Sequence, residues 1–199
     1  MTVILSRPIY WFLHLWVLGF CGVLLAAFAL QFGQGELPCP LCMLQRYGML
    51  LSTLGPFWII LQANRGQLTS QGYQQGLGLA ALGALLGVLV SIRQILLHIL
   101  PGDPGYGSTM FLAHLYTWAL ITFFITLIAV AGLGILAPAT MSEGGTPPVS
   151  VPLASRLTTG LFFLVIAANA FMIIFLEGFS WVLPDDPVDY HLIDQIRGG

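Results

Sequence analysis

The stretch Pro38-Cys39-Pro40-Leu41-Cys42-Met43-Leu44-Gln45-Arg46 stands where a polar segment, residues 33–38, gives way to a long apolar run. It reads as the start of a helix, with Cys39 at the N-cap, Pro40 at the first helical position and Cys42 at the third. Proline suits the first position because its missing N–H would be unpaired there in any case. The free N–H groups and the positive end of the helix dipole then favour a thiolate at Cys42. Arg46 follows one turn later on the same face, where a fixed cation favours an anion at the sulfur or on a ligand beside it.

A C-x-x-C pair serves as a small-loop disulfide, as half of a metal site, or as inert thiols. Structural zinc takes four Cys or His ligands. Here there is no second C-x-x-C, and the histidines are scattered. The redox reading is therefore favoured on chemistry alone. The third cysteine, Cys21, lies within an apolar run and reads as a small buried side chain.

Outward from this stretch the composition sets the class. The chain has 199 residues, 57% of them hydrophobic and 7% charged, with no lysine. Its mean hydropathy is +0.90. A soluble domain carries about 25% charged residues, so this is an integral membrane protein. In lipid every backbone polar group must pair internally, and that dictates an all-α polytopic helical bundle. Six arginines against eight acids exclude a nucleic-acid-binding surface.

Apolar runs predict spans over about 9–32, 43–63, 76–100 and 111–136, then a linker over 137–157, a fifth span over 158–179 and an acidic tail over 180–199. The first run is longer than a signal-peptide core, so an uncleaved helix is expected despite the small residues Ala26, Ala27 and Ala29. Gly55-Pro56 is expected to kink the second span. Gly83 and Gly87, with Ala80 and Ala84, form a small-residue stripe that predicts close helix packing, with homodimerisation the rarer use. Asn169 is expected to bond to another helix. His114, Tyr116, Thr117 and Trp118 either mark the membrane interface or line a ligand pocket. Arginine counts put the N-terminus inside: Arg7, Arg65 and Arg156 fall on one side and Arg197 on the other. Cys39 and Cys42 then lie on the outer face, where disulfides persist.

The run C-P-L-C-M-L-Q-R, behind one membrane span and opening the next, resembles the DsbB family. A second stretch, Arg93-Gln94-Ile95-Leu96-Leu97-His98-Ile99-Leu100-Pro101-Gly102-Asp103, is similar to the family's third-helix end and the start of its second periplasmic loop. The resemblance implies a thiol:quinone oxidoreductase of the bacterial inner membrane, with a four-helix core over 1–136. It implies a periplasmic, thioredoxin-fold (DsbA-like) dithiol partner and a ubiquinone or menaquinone cofactor. By position, Cys39 and Cys42 form the redox disulfide, Cys42 adjoins the quinone, and Arg46 holds the thiolate and a quinone oxygen. Arg93 snorkels outward, pairs with Glu36 or Asp103, or touches the quinone headgroup. His98 suits a proton donor or acceptor there. No metal and a monomer are expected.

The chain departs from the family at the second outer loop. Residues 101–109 contain no cysteine, whereas the typical member carries a second redox pair there. Either a partner dithiol attacks Cys39–Cys42 directly, or another protein supplies the relay, or the chain no longer oxidises a soluble partner. The fifth span and the acidic tail also go beyond the four-helix plan. The competing classes are a non-enzymatic membrane subunit with a structural C-x-x-C, and a metal-assisted site using His98 or His114 with the two sulfurs.

Overall fold

The computed structural model describes residues 2–143, 152–180, 187 and 189–197. Among them five long helices form an all-helical bundle: α1 (Arg7–Gln34), α2 (Pro40–Asn64), α3 (Ser70–Leu97), α4 (Leu115–Thr140) and α5 (Pro152–Glu177). A short helix, α6 (His191–Arg197), follows. The middle of the expected linker, residues 144–151, lies outside the described residues, as do Asp185 and Asp186 of the tail and the side chain of Asp194.

By length and composition α1, α3, α4 and residues 153–177 of α5 are able to cross a membrane, and the protein is multi-pass. α2 is as long but less apolar. Its buried face carries Gln45, Arg46, Ser52 and Thr53. Each has a partner inside the protein, because unpaired polar groups are costly there. The Ser52 and Thr53 hydroxyls donate to Met49 O at 3.0 and 2.7 Å. α2 packs against α1, α3, α4 and α5, and it continues helical through Pro56.

The helix bounds follow local chemistry. Gly35, at φ 71°, ends α1 in the left-handed conformation that glycine tolerates best. Thr69 accepts a hydrogen bond from Gly72 N–H at 2.9 Å, so α3 starts at Ser70, ahead of the apolar run. α4 starts at Leu115, later than the apolar run suggests, because the preceding residues form a hairpin. Its strands are β2 (Thr109–Met110) and β3 (Ala113–His114), tied down by the Trp118 indole, which donates to Met110 O at 2.8 Å. The hairpin tip places Phe111 and Leu112 at φ 48° and 65°.

The seam between α2 and α3 is set by small residues. A Cβ on Gly83 would stand 2.7 Å from the Leu51 carbonyl carbon and 2.8 Å from Ser52 Cα. One turn on, Gly87 lies beneath the Phe123 ring of α4 and against Gly48. Ala80 and Ala84 are fully buried on the same stripe. The stripe thus serves packing within the bundle, where small side chains let backbones approach closely. Asn169 corrects one expectation. Its amide donates to Val165 O of its own helix at 2.8 Å, and it is its backbone carbonyl that receives another helix, through the Tyr47 hydroxyl at 3.4 Å.

The end of the bundle opposite the disulfide is closed by backbone pairing. β1 (Val3–Leu5) pairs antiparallel with β4 (Met141–Glu143). Val3 N–H donates to Leu68 O at 2.7 Å, and Ser6 N–H to Thr140 O at 2.8 Å. The Tyr10 hydroxyl donates to Asn64 Oδ1 at 2.7 Å, and the Asn64 amide donates to the Ser155 hydroxyl of α5 at 2.5 Å.

Candidate functional site

The site grows from the first turn of α2. Cys39 is the N-cap with extended backbone, Pro40 opens the helix, and the Cys39 sulfur accepts the Cys42 N–H at 3.1 Å. A sulfur here does the work a serine hydroxyl does in other helices: it satisfies a first-turn donor that has no partner within the helix. Cys39 and Cys42 are joined as a disulfide with a Cα–Cα separation of 5.0 Å. Cys39 is only 5% exposed, and Cys42 is half-buried.

Two glutamines back the disulfide. Gln94 of α3 points its amide nitrogen at both sulfurs, 3.4 Å from Cys39 Sγ and 3.5 Å from Cys42 Sγ. Gln45 of α2 donates to Gln94 Oε1 at 2.9 Å. Both amides are buried. Sequence reasoning passed over Gln94 because its neighbours Arg93 and His98 are ionisable. Arg93, however, is exposed on the outer face of α3. The signal was in the phase: Ala80, Ala84, Gly87, Ser91 and Gln94 recur at helical spacing on one buried stripe.

Arg46 is buried and turned towards α1. Its guanidinium donates to Gln31 Oε1 at 2.9 Å and Ala27 O at 3.4 Å, and sits 5.1 Å from the centre of the Phe28 ring. Its acceptors are neutral, so the cation keeps its charge with the help of dipoles and a π face. Gln31 passes the contact on, donating to the Tyr190 hydroxyl at 3.3 Å and the Met172 sulfur at 2.9 Å. The tail therefore reaches the neighbourhood of Arg46 through Tyr190.

The second outer loop lies across the first. The Tyr106 hydroxyl donates to Leu37 O at 2.6 Å. Ser108 N–H donates to Glu36 Oε2 at 3.3 Å, and the Ser108 hydroxyl bonds Glu36 Oε1. Glu36 is thus engaged with Ser108. Asp103 Oδ1 lies 3.1 Å from His98 Nδ1, within hydrogen-bond reach. Neither acid takes Arg93 as its partner. Asp103 also accepts Gly105 N–H at 2.8 Å; that bond first, and His98 second, holds its carboxyl below the usual range. The His98 and His114 rings both stack on Tyr116, at 5.8 and 5.1 Å. Gly105, at φ 73°, lies so close to the His114 ring that a Cβ there would force the ring to shift. Among the described residues no three His, Cys, Asp or Glu side chains gather to hold a metal.

Chemically this is a disulfide at a helix N-terminus, backed by neutral donors, roofed by a loop and set at one end of a membrane bundle. Residues 9–106 match the family described as disulfide bond formation protein DsbB. The chain is also similar to disulfide bond formation protein B of Chromobacterium violaceum, 40% identical over 73 residues. That match spans 37% of this chain and 42% of the relative, so the chain covers less than half of the relative's length. No solved structure matches.

Proposed function

Over residues 9–106 the chain belongs to the DsbB family of disulfide bond formation proteins, and from that premise we propose that it is a thiol:quinone oxidoreductase. A periplasmic dithiol protein of thioredoxin fold reduces the Cys39–Cys42 disulfide and becomes oxidised itself. The two electrons and two protons then pass to a membrane quinone, ubiquinone or menaquinone, giving the quinol. The observation that carries this reading is the disulfide at the start of α2, with Gln94 donating to both sulfurs.

A bound quinone supplies a two-electron acceptor soluble in lipid. The residues around the disulfide fit such a group. Leu96 and Leu97 expose apolar surface beside Gln94. One turn further out, His98 and His114 flank Tyr116, and His114 Nδ1 is buried with no hydrogen-bond partner among the described residues, available to hold or move a proton at a carbonyl oxygen. Arg46 contributes a buried cation to the same end of the bundle. The loop over 101–109 lacks cysteine, so the partner's thiolate attacks Cys39–Cys42 directly, once the loop has lifted. Arg7, Arg65 and Arg156 fall at the opposite end and support an inner-membrane orientation with the disulfide in the periplasm.

Purified, pre-reduced protein is expected to reduce quinone stoichiometrically, followed by quinone absorbance, and Cys42→Ser to abolish the reaction. Wild-type protein that binds quinone and leaves it oxidised sinks the proposal. The burial of Cys39 under the loop favours a second reading, a membrane subunit with a structural disulfide. The same experiment separates the two, because a structural pair passes no electrons.

A further inference from the structure

The proposed reaction assigns no step to the pair Gln45 and Gln94. Gln94 is 1% exposed and takes part in three hydrogen bonds, one accepted from Gln45 and two donated towards the sulfurs. Two neutral amides buried in an apolar bundle are costly unless they satisfy one another or a third group. The Gln45 bond also decides which end of Gln94 faces the disulfide. With Oε1 occupied by Gln45 Nε2, the NH2 group is turned to Cys39 and Cys42.

We infer that Gln94 is a catalytic residue that shifts the Cys39–Cys42 couple towards reduction, and that Gln45 is the positioning residue that aims it. The inference rests on reading this pair as a redox disulfide. On reduction the S–S bond breaks. The reductant's two thiols give up two electrons and two protons and form their own disulfide; one sulfur of the pair takes one proton, the other remains a thiolate, and the second proton goes to solvent. A disulfide sulfur is a weak acceptor, whereas hydrogen bonds to ionised groups are about twice as strong as neutral ones. Gln94 therefore stabilises the product more than the starting disulfide. Its amide reaches either sulfur, so the gain holds wherever the negative charge sits. At Cys39 the Cys42 N–H adds a second donor.

The test measures the equilibrium and needs no quinone. The full chain, in detergent and on a Cys21→Ser background, is equilibrated in graded glutathione buffers. It is then acid-quenched, and its free thiols are tagged with a mass-adding maleimide. Gln94→Leu is expected to move the midpoint about tenfold in favour of the disulfide, which for a two-electron couple is about 30 mV more reducing. Gln45→Leu touches no sulfur and is expected to move it in the same direction. The double variant should add little to Gln94→Leu, because the two act as one unit. Gln94→Asn, one methylene shorter, serves where Gln94→Leu does not fold, and it should shift the midpoint the same way.

Midpoints within twofold of wild type in folded variants, with only the unfolding transition lowered, overturn the inference and leave the glutamines as packing. In that case quinone reduction by the wild type still stands. A wild-type pair that cycles in glutathione with shifted variant midpoints, but never reduces quinone, keeps the inference and removes the quinone step. A wild-type pair locked at every glutathione ratio overturns both.

Discussion

Replacing Gly83 with alanine should force α2 and α3 apart. The new Cβ would stand 2.7 Å from the Leu51 carbonyl carbon and 2.8 Å from Ser52 Cα, and would also run into the Ser52 nitrogen. Carbon atoms rest at about 3.5–4.0 Å, so the seam must open by about 0.7 Å or more. All three obstructing atoms are α2 backbone. No rotamer change relieves them, and the helix has to move as a body. Overpacking of this kind costs about 1–3 kcal/mol, offset by about 1 kcal/mol of helix propensity gained over glycine. Gly78 lies on the same helix with nothing within 4 Å of its Cβ position. Gly78→Ala therefore receives the propensity gain without the clash and serves as the internal control. Titration with SDS in mixed micelles, read by circular dichroism, should place Gly83→Ala below wild type and Gly78→Ala at or above it. Equal midpoints for the two variants would refute the claim that backbone contact at Gly83 sets the helix spacing.

Three further outcomes follow from the disulfide end of the bundle. Tyr106→Phe removes the hydroxyl bond to Leu37 O, a contribution of about 1 kcal/mol, and should speed reduction of the disulfide by a soluble dithiol about fivefold; an unchanged rate means the loop is not the barrier. Asp103 has its carboxyl held below 3.8, so its loop anchoring is complete above that pH and is lost as the pH falls through the lowered value; protease nicking of residues 101–109 should rise only in that acid window, and Asp103→Asn should abolish the dependence. Phe111 and Leu112 hold left-handed backbone angles, which cost roughly 1–2 kcal/mol for each L residue; Asn and Gly, in that order, suit a two-residue hairpin turn and should raise the unfolding midpoint, whereas a lower midpoint would show that the exposed apolar side chains contribute more than the strain removes.

The fold was legible because its causes are local and compositional. Long apolar runs with few charges leave helices as the way to satisfy the backbone in lipid. The Cys39-Pro40 helix start was legible because capping depends on a few adjacent residues. What the sequence hid was direction around the helix. Arg93 and Gln94 are neighbours, one exposed and one facing the sulfurs, and a single residue step turns the side chain by about 100°. Weighing residues by charge drew attention to Arg93, whereas extending the small-residue stripe from Ala80 through Gly87 leads to Gln94. Arg46 was placed beside Cys42 by its four-residue spacing. That spacing carries no information on α1, whose Gln31 and Phe28 take up the guanidinium. The second half of the hairpin, residues 111–114, reads as the start of the fourth span because its Phe-Leu-Ala run is apolar and the tip lacks the glycine or asparagine that usually announces such a turn.

The β1–β4 clasp has a consequence for synthesis. Val3–Leu5 pairs with residues whose codons come far downstream, up to Glu143. At about 5–20 residues per second, the first strand waits roughly ten seconds for its partner, with α1 to α4 made in the meantime. Val3 can meet Leu68 earlier, but through that interval the side of Val3–Leu5 that faces β4 stays an open, apolar edge, a hazard for mispairing. The bundle is thus latched late, and a ribosome stall within α4 would leave the latch open. Pulse-labelled chains halted at that point should be more readily digested at their N-terminal end than chains extended beyond Glu143.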